Sequence, residues 1–219
     1  ESLDRRIETE GQLLVEGRTP EMFFREMIAA FDLTNALQVR TFGDIGKANL
    51  QTYLELFTQK SAFKERVRRL GIIRDAEAGS AQSAFQSVQS ALRGASLPVP
   101  SIMREVAGNQ LAVGVFVLPN CKDPGMLETL CLAAVEATPE SESLLPCVDD
   151  FFACVREQRA KPANPTKARF AGYALAQDIV DPQLGRAAQK GAIPWHAKAF
   201  EQLRSFLTLL SGSGTRPQP

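Results

Sequence analysis

Apolar positions along this chain fall into two kinds of run that alternate. Short blocks with continuous or period-two hydrophobicity predict strands at about 12–16, 37–42, 68–74 and 111–118, the last a fully apolar stretch from Leu111 to Leu118. Between them lie segments with period 3.6. After the first block, Thr19 is the expected cap of a helix whose first residue is Pro20, and Phe23, Phe24, Met27, Ile28 and Phe31 then form one apolar face. Leu50, Tyr53, Leu54 and Phe57 mark a second helix, residues 80–93 a third, and the segment from Pro124 to Glu128 opens a fourth. Strands alternating with helices imply right-handed crossovers. The expected class is therefore α/β, Rossmann-like, with a parallel sheet sandwiched by helices.

From about residue 143 the pattern is helical to the end. Leu144, Leu145, Val148, Phe151, Phe152 and Val155 are expected on the face of one amphipathic helix, and Phe206, Leu207, Leu209 and Leu210 on that of the last. The predicted organisation is a polar lead (1–11), an α/β core (12–140), a C-terminal helical extension packed on it (141–210) and a flexible tail (211–219).

Composition narrows the chemistry. The 25 lysines and arginines equal the 25 aspartates and glutamates, so no global charge attracts a polyanion, and any such site must be a local patch. No apolar run reaches the roughly 18 residues needed to span a bilayer, and no secretory leader is visible, so the expectation is a cytoplasmic protein without a membrane partner. The four cysteines (121, 131, 147 and 154) form no CxxC pair and there is one histidine, His196, which disfavours zinc and histidine-based triads. All four are expected as reduced, mostly buried thiols. His196 beside Trp195 reads as a packing pair.

The candidate chemistry lies at two strand ends. Val15-Glu16-Gly17 closes the first block, and Ile73-Arg74-Asp75-Ala76-Glu77 closes the third. In an open parallel sheet the strand C-termini face the ligand crevice. Glu16, Asp75 and Glu77 delivered there would suit a hard divalent cation, Mg2+ or Mn2+. Asp75 and Glu77 occupy alternate positions, so their side chains are expected on one side. A lone glutamate at a strand end can equally cap the next helix, and the acidic pair can be an exposed turn beside Arg74.

The ordered set of Val15-Glu16-Gly17, the strand ending Asp75-Ala76-Glu77, Leu118-Pro119 with Glu128, and Thr166-Lys167-Ala168 resembles the Toprim domain of topoisomerases, bacterial primases, ribosomal-RNA maturases and overcoming-lysogenization-defect nucleases. The resemblance spans roughly 12–175. It implies a Toprim-like fold and a magnesium site built by Glu16, Asp75 and Glu77, with Glu128 for a second ion and Lys167 stabilising developing charge. Two positions depart from that pattern: the acidic pair is Asp-x-Glu, and Pro20 stands where the nuclease motif often carries aspartate. The implied function is magnesium-dependent phosphodiester chemistry on nucleic acid. The alternative is a non-catalytic Toprim-like binding or regulatory subunit that pairs with an ATPase, and a homo-oligomer is open to either reading.

Phosphate contacts have fewer candidates. Gly43-Asp44-Ile45-Gly46-Lys47 has two residues between its glycines where a P-loop has four, so it reads as a tight turn, although its glycines and the following helix N-terminus, with Lys47, could hold a phosphate oxygen. One basic cluster runs from Lys64 through Arg66, Arg68 and Arg69 to Arg74. A second comprises Arg156, Arg159, Lys161, Lys167 and Arg169. Neither carries interleaved aromatics of the single-strand-binding kind.

Overall fold

A computed structural model describes residues 5–43, 50–139, 143–158 and 161–212. Five strands form one sheet: β1 (Gly11–Glu16), β2 (Leu37–Phe42), β3 (Arg69–Asp75), β4 (Val106–Ala107) and β5 (Ala112–Leu118), in the spatial order β2-β1-β3-β5-β4. The first four of that order are parallel, with Leu14 opposite Ile72 and Gly71 opposite Gly114. β4 is antiparallel to β5, so the sheet is mostly rather than wholly parallel. Two residues without an apolar run left no signal for β4 in the chain.

Alternation along the strands divides the core. Leu13, Val15, Ile73 and Phe116 face one side, whereas Leu14, Leu70, Ile72 and Val115 face the other. The second side is covered by α2 (Leu50–Gln59), α3 (Ser61–Arg66) and α4 (Ala81–Gly94). The first is covered by α1 (Arg18–Ala30), α5 (Leu127–Glu136), α7 (Pro165–Ala176), α8 (Leu184–Gln189) and α9 (Glu201–Ser211). α6 (Leu145–Glu157) lies further out: it buries Leu145 and Val148, while Phe151 of the expected apolar face is 61% exposed.

The C-terminal helices complete this layer. Gly71 and Gly114, paired across β3 and β5, leave a shallow patch in the sheet into which α9 fits. A Cβ on Gly71 would stand 2.3 Å from Leu210 Cδ2, and one on Gly114 would stand 2.9 Å from Phe206. A methyl at either position would displace the Leu210 or Phe206 side chain.

The polar lead is also structured from Arg5 onward. Ile7 is buried, and the Arg6 carbonyl accepts from Gln38 Nε2 (2.9 Å) and Arg40 Nη2 (2.8 Å). Arg40, fully buried, also donates to Gln12 Oε1 (2.6 Å) and lies over the Phe57 ring. The lead thus satisfies a buried guanidinium that would otherwise be very costly.

Candidate functional site

β1 and β3 are the neighbours at which the order of parallel strands reverses, and a crevice opens outside their C-terminal ends. A cleft of about 470 Å3 occupies that position. Glu16 from β1, Asp75 and Glu77 from the end of β3, Glu128 from the first turn of α5 and Lys167 from the first turn of α7 all line it. Four segments far apart in sequence therefore meet there.

Gly17 makes the exit from β1. Its φ of +86° suits a residue without a Cβ, and it caps α1, which begins at Arg18. The helix thus starts earlier than the expected Pro20. Thr19 is not its cap: Thr19 Oγ1 donates instead to Gln183 Oε1 (3.1 Å) in the approach to α8. Glu21 lies off the cleft, buried and paired with Arg5 and Arg25.

Asp75 is half-buried, and its Oδ1 accepts the N–H of Leu127 (3.0 Å) at the N-terminus of α5. Burial pushes its carboxyl up to about 7 from the ordinary 3.8, and the negative charges of Glu128 and Glu77 push the same way. The Leu127 N–H and the Lys167 ammonium act against this rise. Burial and like charge together disfavour the ionised form of Asp75.

Glu77 reaches the cleft by a route that alternation does not describe. β3 ends at Asp75, and Glu77 sits in the left-handed region at φ +55°. Its N–H and C=O form reciprocal 2.7 Å bonds with Gly125. The turn, not strand parity, sets where its carboxylate goes.

Parity does separate Glu16 from Asp75. Glu16 follows the side of Leu14 and Arg74 that of Ile72. Arg74 Nη1 meets Glu16 Oε2 at 2.5 Å, with its guanidinium over the Phe42 ring. Asp75 follows Ile73 toward the opposite layer. The two carboxylates leave opposite faces of the sheet at the rim of one cleft. Accordingly, among the described residues no three His, Cys, Asp or Glu side chains form a group that could hold a metal ion as they stand. In kind the donors still suit a hard cation: carboxylate oxygens around an acid that burial and like charge disfavour.

Other expected contacts lie elsewhere. Arg169 does not line the cleft; Asp149 grips it with two 2.8 Å bonds and Glu136 with one of 2.5 Å. Arg68 and Arg69 stand at the opposite end of β3 from Asp75, and Arg69 pairs with Glu10 (3.4 Å). A strand rise of about 3.3 Å per residue puts them roughly 20 Å from the cleft. Lys47 lies outside the described residues. Of the cysteines, Cys131 is buried and Cys121 partly so, but Cys147 and Cys154 are exposed, because they lie on the outward side of α6.

The chain matches, over residues 10–211, a family described as "Protein of unknown function (DUF3226)". The chain belongs to the DUF3226 family. No curated protein and no solved structure matches it. The region matched by the family takes in both strand ends and the C-terminal helices that wall the cleft.

That wall is what the sequence did not reveal. Phe170, Pro182, Gln183 and Leu184 enclose one side of the cleft, and Thr19 ties Gln183 to α1 from 164 positions away. No local pattern in the chain announces such a contact.

Proposed function

We propose that this DUF3226 chain is a Toprim-like, magnesium- or manganese-dependent phosphodiester hydrolase acting on nucleic acid. One observation carries the reading: Glu16, Asp75, Glu77, Glu128 and Lys167, singled out by motif from separate segments, line one cleft at the sheet's reversal point.

Asp75, Glu77 and Glu128 are the residues that would hold the cation, and their carboxylates, which do not converge as they stand, would have to draw together around it. The cation would supply Lewis-acid stabilisation of charge on a phosphodiester. Glu16 exchanges its partner Arg74 for an attacking water and takes the proton at its carboxylate. Arg74, so released, is free to hold a phosphate oxygen. Lys167 places its ammonium beside the carboxylates, where it neutralises negative charge that develops on the leaving oxygen. The apolar wall of Phe170 and Leu184 limits water on one side of the cleft.

Purified protein with Mg2+ or Mn2+ should cleave DNA or RNA, and Asp75→Ala should abolish cleavage. Equal activity in the variant would overturn the assignment.

A second reading has two observations in its favour. The Glu16–Arg74 pair and the separation of Glu16 from Asp75 suit a non-catalytic subunit that keeps the fold and works beside a partner such as an ATPase. Mn2+ titration separates the two: an active site binds the ion through Asp75, whereas the subunit reading expects wild type and Asp75→Ala to bind equally little.

Among the described residues no helix is long and apolar enough to cross a membrane. Cytoplasmic residence and self-association belong to the proposal.

A further inference from the structure

A second cavity, of about 720 Å3, lies away from the strand ends, between the C-terminal end of α1, the far half of α7, the 191–196 segment and α9. Its size is within the range of about 300–1,000 Å3 typical of small-ligand sites. No aspartate or glutamate lines it, in contrast to the four carboxylates of the cleft.

Its walls combine aromatic surface with unengaged donors. Trp195 packs against Phe23 (5.1 Å) and Phe200 (5.7 Å), which fix the indole, and the same residue borders the cavity. Among the described residues nothing accepts a hydrogen bond from the indole N–H. The Arg204 guanidinium lies 4.9 Å over the Phe31 ring. That stacking holds its plane and leaves its N–H edge unused. No carboxylate among the described residues pairs with Arg204. His196 and Gln177 add two more exposed polar groups at the same opening. Tyr173 donates to the Ala192 carbonyl (3.1 Å) and pins the segment that carries Trp195.

Planar aromatic surface beside a guanidinium and an imidazole, with no acid among the lining residues, is complementary to an anion attached to a ring. We propose that this cavity binds a small molecule that joins a planar ring to a single anionic group, of the size of a nucleoside monophosphate. The ring lies against Trp195 and the anion meets Arg204. The site is distinct from the acidic cleft, and its occupancy needs no metal.

Trp195 is the chain's one tryptophan, so its emission reports the site directly. The experiment titrates the intact protein with adenosine and guanosine monophosphates and with an aromatic carboxylate, exciting at the red edge of the indole band. Adenosine and inorganic phosphate serve as the separate halves. The expected result is a saturable change with a ring-bearing anion, and affinity at least about tenfold lower for either half and for Arg204→Gln. Arg204 is exposed, so the variant should fold, which circular dichroism checks. Asp75→Asn should bind as wild type does. Absence of a saturable change with every ligand overturns the proposal, as does undiminished binding by Arg204→Gln. Loss of binding in Asp75→Asn alone would move the ligand to the acidic cleft and equally refute it.

Discussion

Replacing Asp75 by asparagine should stabilise the protein, and only above acidic pH. The Asp75 carboxyl titrates at about 7 in the folded chain against 3.8 ordinarily. At about 1.4 kcal/mol per unit, this amounts to about 4 kcal/mol of folding free energy. Near pH 3 the carboxyl is protonated in both states and contributes nothing. As pH rises from about 4 to 7, the unfolded chain releases its proton first, so the folded state binds more protons and stability falls. Above about pH 7 the loss is complete. Asparagine keeps an oxygen able to accept the Leu127 N–H but never ionises, so the variant has no such slope. Urea unfolding near pH 4, 6 and 8 should show the difference between variant and wild type growing to about 2–4 kcal/mol, the lower value allowing for water that reaches a half-buried group. Saturating Mg2+ should restore wild-type stability at high pH and leave the variant unchanged. A difference independent of pH would refute the assignment of Asp75 as a group held against its charge.

Other consequences can be read in the same way. Lys167→Met removes a charge that favours ionised Asp75, so the pH at which stability is lost should move upward, as carboxyl chemical shifts can monitor. Arg74→Gln frees Glu16 and should leave Mn2+ binding as tight or up to about fivefold tighter while slowing any cleavage; weaker ion binding would show that the pair assembles the site rather than competing with it. Gly71→Ala drives a methyl into Leu210 and should cost about 1–3 kcal/mol in denaturant unfolding, and an unchanged midpoint would mean that α9 does not seat on the sheet there. A thiol reagent should modify Cys147 and Cys154 rapidly in the native protein and Cys131 only on unfolding.

Strand and helix positions were legible because each depends on a local period. The blocks at 12–16, 37–42, 68–74 and 111–118 became β1, β2, β3 and β5 within a residue or so at each end. The acidic strand ends were legible for the same reason: a carboxylate after a buried run can only lie at the sheet's rim. The start of α1 was misplaced because Thr19 resembles a cap, whereas the positive φ of Gly17 makes Gly17 the turning point and leaves Thr19 free to bond Gln183. The basic cluster at 64–69 is close to Asp75 in sequence but at the other end of the strand, a distance that a list of charges does not carry.

The sequence by itself determined the α/β class, the strands and the residues with chemistry at their ends, since hydrophobic period and residue type are local properties. Tertiary structure decided which of them share a space. Strand order placed Glu16 and Asp75 side by side, parity sent them to opposite faces, and a left-handed turn returned Glu77 to the cleft. Helices from the far end of the chain closed one side of that cleft and built a second cavity around Trp195. These are contacts between segments distant in the sequence, Thr19 and Gln183 being 164 positions apart, fixed by burial of both sheet faces together, and no local pattern encodes them.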